Sequence, residues 1–228
     1  RQQHALKYLD KGFSVIPVWS FTQIKRKPPK YFVDELNKAI EENIKSDNPL
    51  TDDKVYWNYV AKVCKRPMVY WTEFQKRLPT IQEVESWWTK WPNANIAIVT
   101  GTVSNLVVFD LDSQHAVEYA DDAGGFPDTP KVKTGKGHHI YVRHPGFEIR
   151  NDVNKQYDID IRADGGYVVA PPSVHGNGNQ YEWEDCSSIF DIPLAECDAW
   201  MIDYLREMAN SASKPAKEQP PKPSKSLD

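Results

Sequence analysis

The 228-residue chain predicts a mixed α/β (α+β) fold. Three observations carry that prediction. Short hydrophobic runs alternate with polar residues at a period of two. Apolar residues elsewhere recur every three or four positions behind helix-capping residues. Gly/Pro/Asp clusters separate the two kinds of segment.

Taken in order, residues 2–11 read as a helix ended by Gly12. Phe13 to Trp19 reads as a strand, and Pro17 assigns it to a sheet edge. Phe32, Val33, Leu36, Ile40 and Ile44 have helical spacing, and Thr51-Asp52-Asp53 caps a further helix. Thr80 and Glu83 form a capping box. The helix it starts carries Trp87, Trp88 and Trp91, with Pro92 after it. These tryptophans are expected to pack in the core, with base stacking as the less favoured role. Asn95–Thr100 and Leu106–Leu111 read as two strands joined by a Gly-containing turn, followed by a helix over residues 113–123. Further strands are expected at 138–143, 157–162, 167–170 and 181–183, and a last helix at 194–208. From 211 to 228 four Pro, four Lys and four Ser leave only Leu227 clearly apolar. That segment is expected to be a disordered linker or tail, leaving 1–210 as the folded domain.

The segment Val107-Val108-Phe109-Asp110-Leu111-Asp112 concentrates the chemistry. Alternation along a strand puts Asp110 and Asp112 on one side. Paired carboxylates at the end of a buried strand repel unless a cation lies between them, and hard cations such as Mg²⁺ or Mn²⁺ take oxygen ligands. The alternative is an Asx-type turn in which Asp112 caps the following helix. Thr134-Gly135-Lys136-Gly137 precedes His138-His139, so a glycine turn and a lysine suited to an anion lead into a strand. The two histidines then face opposite sides. In Asp158-Ile159-Asp160-Ile161-Arg162, alternation places Asp158, Asp160 and Arg162 on one face. One of these carboxylates would complete the Asp110/Asp112 site, since three carboxylates around two metals suit in-line nucleotidyl transfer. The competing reading is a half-exposed strand with an Asp–Arg pair.

Bulk properties narrow the class. No apolar run approaches a membrane span, and no signal peptide is visible. The missing initiator Met is expected of a piece of a longer chain. Three cysteines without a C-x-x-C pair suit a reducing, cytoplasmic setting. A zinc site built from Cys186, Cys197 and His175 has no recognised spacing behind it. Net charge is −4, so a nucleic-acid role rests on local clusters at Lys25–Lys30 and at Lys131, Lys133 and Lys136.

Together the D-x-D, G-x-H and Asp-Ile-Arg segments resemble the three motifs of the archaeo-eukaryotic primase superfamily. The closer resemblance is to its bifunctional primase–polymerase (prim-pol) domains, and it covers most of residues 4–184. Ala5-Leu6-Lys7-Tyr8-Leu9 with Gly12–Pro17 is similar to that family's opening, and Lys27-Pro28 to its K-x-P or K-P element. Trp87-Trp88 with Trp91–Ala97 is similar to the approach to its first motif. Asp160–Arg162 with Gly165–Ser173, and then Gly178 and Tyr181–Trp183, is similar to the third-motif region. The glycine turn before His139 is shorter than in many members. Residues 31–70 stand out as a helical insertion.

The resemblance implies an RRM-like catalytic core with an N-terminal α/β module and a cleft between them. It implies metal binding by Asp110, Asp112 and Asp160, with Mg²⁺ or Mn²⁺ in a two-metal site. It implies triphosphate binding by His139, with Thr134, Lys136 and Arg162 as further nucleotide-binding residues. The implied activity is a DNA primase and polymerase making primers de novo on single-stranded DNA from nucleoside triphosphates. The implied setting is plasmid, phage or mobile-element replication, with a helicase domain downstream. Three alternatives explain less. A haloacid-dehalogenase-type phosphohydrolase also ends a strand in D-x-D, but Gln114 departs from its pattern and the other two segments go unused. A rolling-circle nickase needs a spacer between His138 and His139. A non-catalytic RNA-binding RRM needs exposed aromatics on its strands.

Overall fold

The computed structural model describes residues 1–154 and 157–212. Helix α1 (Gln2–Asp10) runs into Gly12, whose φ of 88° turns the chain into β1 (Val15–Val18). The chain then makes a closed excursion. It leaves at Trp19, forms α2 (Phe21–Arg26), α3 (Phe32–Ile44) and α4 (Asp52–Val63), and returns to β1. The return is tied by the Trp19 N–H to the Arg66 carbonyl at 3.0 Å and the Met68 N–H to the Pro17 carbonyl at 2.9 Å. The expected insertion of 31–70 is thus the greater part of an excursion that begins with α2. Ile24, Phe32, Tyr59, Val60, Val63 and Cys64 give it a small core of its own. Two residues of the expected apolar stripe, Val33 and Ile44, are 57% and 68% exposed, because α3 presents only Phe32 and Leu36 to that core.

Helix α5 (Ile81–Lys90) starts at the Thr80/Glu83 capping box, with both reciprocal hydrogen bonds formed. Trp88 is buried, donating to the Ala94 carbonyl, and Trp87 packs on Phe74, so both serve the core. Next come β2 (Asn95–Val99), β3 (Leu106–Leu111) and α6 (Gln114–Ala123). They are followed by β4 (Lys131–Lys133), β5 (His138–Arg143), β6 (Asp152–Asn154), β7 (Ile159–Arg162), β8 (Tyr167–Ala170), β9 (Glu182–Trp183) and α7 (Ala199–Ala212).

The strands form two antiparallel sheets, β1-β2-β8 and β6-β7-β3-β5-β4-β9. β1 is an edge strand, as Pro17 requires. β2 and β3, consecutive in sequence, lie in different sheets. The turn between them moves the chain from one sheet to the other instead of closing a hairpin. Within the larger sheet, β3, α6, β4, β5 and β7 reproduce the strand order of an RRM-like core, β7-β3-β5-β4. β8 comes from late in the chain to complete the sheet begun by the N-terminal strands.

The faces of β3 divide the cores. Val107, Phe109 and Leu111 pack with Ala116, Ala120, Met201 and Tyr204 of α6 and α7. Leu106 and Val108 face the layer shared with β1, β2 and β8. Asp110 follows their parity, so it points into the space between the sheets.

Three expectations are corrected here. Asp158 is not in a strand: its φ of 55° is left-handed, so the alternation that would have aligned it with Asp160 is broken. The last helix begins at Ala199 rather than 194, because Ala195 bridges Val142 and accepts from the Arg143 N–H at 2.8 Å, holding that stretch extended beside β5. That helix also continues to Ala212, two residues into the expected tail, whereas 213–228 lie outside the described residues.

Candidate active site

β3 is paired on both sides, and its register assembles the site. Asp110 is the cross-strand partner of His139 on β5 and of Asp160 on β7. Asp112 follows the strand end, where its N–H reaches the Asp158 carbonyl at 3.4 Å. Carboxylate oxygens of Asp110, Asp112 and Asp160 lie within 4.8 Å of one another, the one such potential metal-holding group among the described residues. The capping alternative for Asp112 fails, because the N-cap of α6 is Ser113, whose hydroxyl accepts from the Ala116 N–H at 3.2 Å. Asp158 stays outside: exposed, it accepts from the Ser113 hydroxyl at 3.0 Å. Cys186, Cys197 and His175 form no metal-holding group among the described residues.

Cations of the chain itself surround the carboxylates. The Arg162 guanidinium lies 2.8 Å from Asp160 and 3.6 Å from Asp110, and His139 Nε2 lies 3.3 Å from Asp110. Burial pushes the Asp110 carboxyl up, but His139, then Arg162 and Lys65, outweigh it and hold the group at about 2. Asp112 is raised by burial and by the charge of Asp110. Asp160 is raised by burial, which Arg162 opposes and the two other carboxylates reinforce. One carboxyl held low beside two pushed up is a donor set that a hard divalent cation would relieve. The three oxygens fit such an ion by chemistry and by separation.

The histidines divide as their alternation predicts. His139 is buried on the carboxylate face, and its Nδ1 has no partner among the described residues. His138 turns away to meet Glu184 at 2.7 Å. The glycine turn departs from expectation in one respect. The backbone N–H groups of Lys136 and Gly137 are satisfied by the Thr134 hydroxyl at 3.2 and 3.0 Å, so they are not open to an anion. Gly137 is needed for another reason: a Cβ there would fall on the Leu111 carbonyl oxygen at the end of β3. The Lys136 side chain is left as the cation of the turn.

The cleft has two lobes that meet at Asp110, His139, Tyr181 and Lys65. One, of 260 Å³, is lined by Arg162, Asn151 and the Gly165–Val169 backbone. The other, of 510 Å³, is lined by Asp112, Thr134, Gly135, Lys136, His175 and Asn177, with α4 opposite. Thr134, Lys136, His139 and Arg162 therefore all line the cleft that Asp110 borders.

Sequence reasoning missed Lys65, which lies just beyond the end of α4, lines both lobes and acts electrostatically on all three carboxylates. The signal was available. Lys65-Arg66-Pro67 has the K-x-P form that was assigned to Lys27-Pro28, whereas Lys27 and Pro28 are exposed and line neither lobe. Tyr181 was legible only as part of a resembling segment.

No helix among the described residues is long and apolar enough to cross a membrane. No curated protein matches the chain. The family model described as bifunctional DNA primase/polymerase, N-terminal, matches residues 5–200. Its span runs from within α1 through both sheets, the three carboxylates and the whole cleft. By that match the chain belongs to the bifunctional DNA primase/polymerase N-terminal (Prim-Pol) family.

Proposed function

We propose that the domain synthesises primers de novo on a single-stranded DNA template and extends them from nucleoside triphosphates. The observation that carries this reading is the cluster of Asp110, Asp112 and Asp160, with Arg162 paired to Asp160, beside Lys65 and His139 where two cleft lobes meet at Asp110. Two reactants must meet there. One is the nucleotide, with its polyphosphate; the other is a strand ending in a 3′-hydroxyl. Their union forms a bond from the 3′-oxygen to the α-phosphorus and releases pyrophosphate.

Divalent cations, Mg²⁺ or Mn²⁺, held by Asp110, Asp112 and Asp160 would activate the 3′-hydroxyl and neutralise charge at the α-phosphate. The chain's own groups do the remaining work. Lys65 and Lys136 face the cleft as point charges for the polyphosphate. Arg162 holds Asp160 in place and has further N–H donors for a phosphate oxygen. His139, on the same face, offers a ring nitrogen to the nucleotide. Burial of Asp110 and His139 keeps water away from the reacting end of the cleft.

The phosphohydrolase alternative gives no role to His139 and Asp160, the two cross-strand neighbours of Asp110. The test is incorporation of radiolabelled nucleotide on unprimed single-stranded DNA with Mg²⁺ or Mn²⁺, comparing ribo- and deoxyribonucleotides. Labelled oligonucleotides made by the parent chain, and lost with Asp110→Asn, are the expected result. Extension of supplied primers without any product on unprimed template would remove de novo priming from the reading.

A further inference from the structure

The larger lobe has a wall that this chemistry does not explain. Trp57, Asn58, Ala61 and Lys62 of α4 line it, facing the Gly-Lys-Gly turn. Their spacing puts them on one helix face, which continues toward Lys65. We propose that this face of α4 is the base-binding wall for the incoming nucleotide, with Trp57 as stacking platform and Lys62 as a second cation for the phosphates. The proposal rests on the nucleotidyl-transfer reading and adds a binding role for the helical excursion.

Five features favour it. Trp57 is 45% exposed, unlike the buried Trp88, and opens onto the cavity. Its ring is held in place by Phe21 at 5.7 Å and Tyr56 at 5.2 Å, so the exposed face is supported from behind. The wall is fixed to the core, because Gly176 passes so close to Ala61 that a Cβ there would overlap the Ala61 backbone. The distance is also suitable. Six residues of helical rise separate Trp57 from Val63 at the end of α4, roughly 9 Å, and Lys65 follows two residues later. That is comparable to the reach from a polyphosphate to its base, and Lys65 marks the carboxylate end. A cavity of 510 Å³ lies within the range of small-ligand pockets.

The competing explanation is that Trp57 only covers Phe21 and Tyr56. A third is that it stacks on a base of the template strand. Equilibrium binding to the intact chain with Mg²⁺ separates them, using dATP, inorganic tripolyphosphate and a short single-stranded DNA as probes. Trp57→Ala is expected to weaken dATP binding roughly 5- to 150-fold, the range for loss of one base–aromatic stack. It should leave tripolyphosphate binding within twofold, and Trp57→Phe should restore most of the dATP affinity. Lys62→Ala should weaken dATP and tripolyphosphate alike. Unchanged dATP binding in both Trp57→Ala and Lys62→Ala overturns the inference, as does a loss confined to the DNA probe. Trp57→Phe and Lys62→Ala keep the test decisive if Trp57→Ala unfolds. If the parent chain binds nucleotide and extends primers while these variants match it, only the role of α4 falls. If the parent binds no nucleotide and makes no product, both readings fall.

Discussion

Asp110 and His139 are cross-strand partners whose side chains meet at 3.3 Å on the face of β3 that looks into the cleft. His138, one residue earlier, pairs with Glu184 on the other side. His139→Ala should therefore weaken nucleotide binding and His138→Ala should do little. Loss of one hydrogen bond to a charged group is worth about 1.5–3 kcal/mol, a roughly 10- to 150-fold rise in nucleotide KM. Steady-state kinetics with each variant checks this. A damaging His138→Ala beside a mild His139→Ala would refute it.

The three carboxylates should separate when activity and stability are measured together. Asp110→Asn, Asp112→Asn and Asp160→Asn should each abolish incorporation. Asp110 is held low by His139 and Arg162, so its replacement should also destabilise the fold by about 1–3 kcal/mol. Asp112 makes no ion pair among the described residues and is pushed up by burial and by Asp110, so Asp112→Asn should leave thermal stability equal or higher. Denaturant unfolding without added metal provides the comparison.

Asp158→Ala should keep incorporation within about threefold of the parent, in contrast to Asp160→Ala. Its cost is structural: the bond to Ser113 is lost and a left-handed backbone position receives an alanine, together about 1 kcal/mol. Asp158→Asn, which tolerates that conformation, should match the parent in both assays. Equal loss of activity in Asp158→Ala and Asp160→Ala would place the third ligand differently.

Gly137→Ala should lower activity by at least tenfold while leaving the secondary-structure content unchanged. The added methyl meets the Leu111 carbonyl, so the turn carrying Lys136 must move away from the carboxylates. Gly12→Ala is a useful contrast. No atom lies near the new Cβ, although φ of 88° makes it strained, so it should cost stability rather than nucleotide affinity.

Acid stability tests the α5 cap. The Arg77 guanidinium, and then the Thr80 N–H, pull the Glu83 carboxyl down to about 2 against burial. A depressed carboxylate stabilises fully above its unfolded value near 4.3 and loses that contribution as pH falls toward 2. Glu83→Gln keeps the cap acceptor but removes the charge, so it should flatten the stability curve between about pH 4.3 and 2. Thr80→Ala should cost about 1 kcal/mol at neutral pH, as loss of an N-cap does.

Much of this arrangement could be read from local pattern. β5 and β8 have the expected bounds because continuous β-branched and aromatic runs are bounded by nearby glycine and proline. Alternation made Asp110 and Asp112 legible as a pair, but it left Asp158 and Asp160 equal, and only the family resemblance chose Asp160. What escaped depended on long-range pairing. β4 and β6 are three-residue strands whose charged or short sequences carry no hydrophobic period, so only their neighbours define them. Nothing local says that β2 and β3 separate into two sheets. Lys65 and Trp57 reach the cleft only because the excursion folds back on β1, and the tryptophans with the clearer helical context proved to be core residues.

The double pairing of β3 has a kinetic meaning. A strand with partners on both sides exchanges its amide hydrogens slowly, through openings close in free energy to global unfolding. Asp110 is carried on such a strand and Asp160 on its neighbour, so their spacing persists for as long as the domain stays folded. Lys65 and Lys136 are carried on connecting segments, where smaller openings suffice. The cleft is thereby divided by timescale. One side keeps a constant separation of charges through every turnover. The other rests on segments whose amides are expected to exchange sooner.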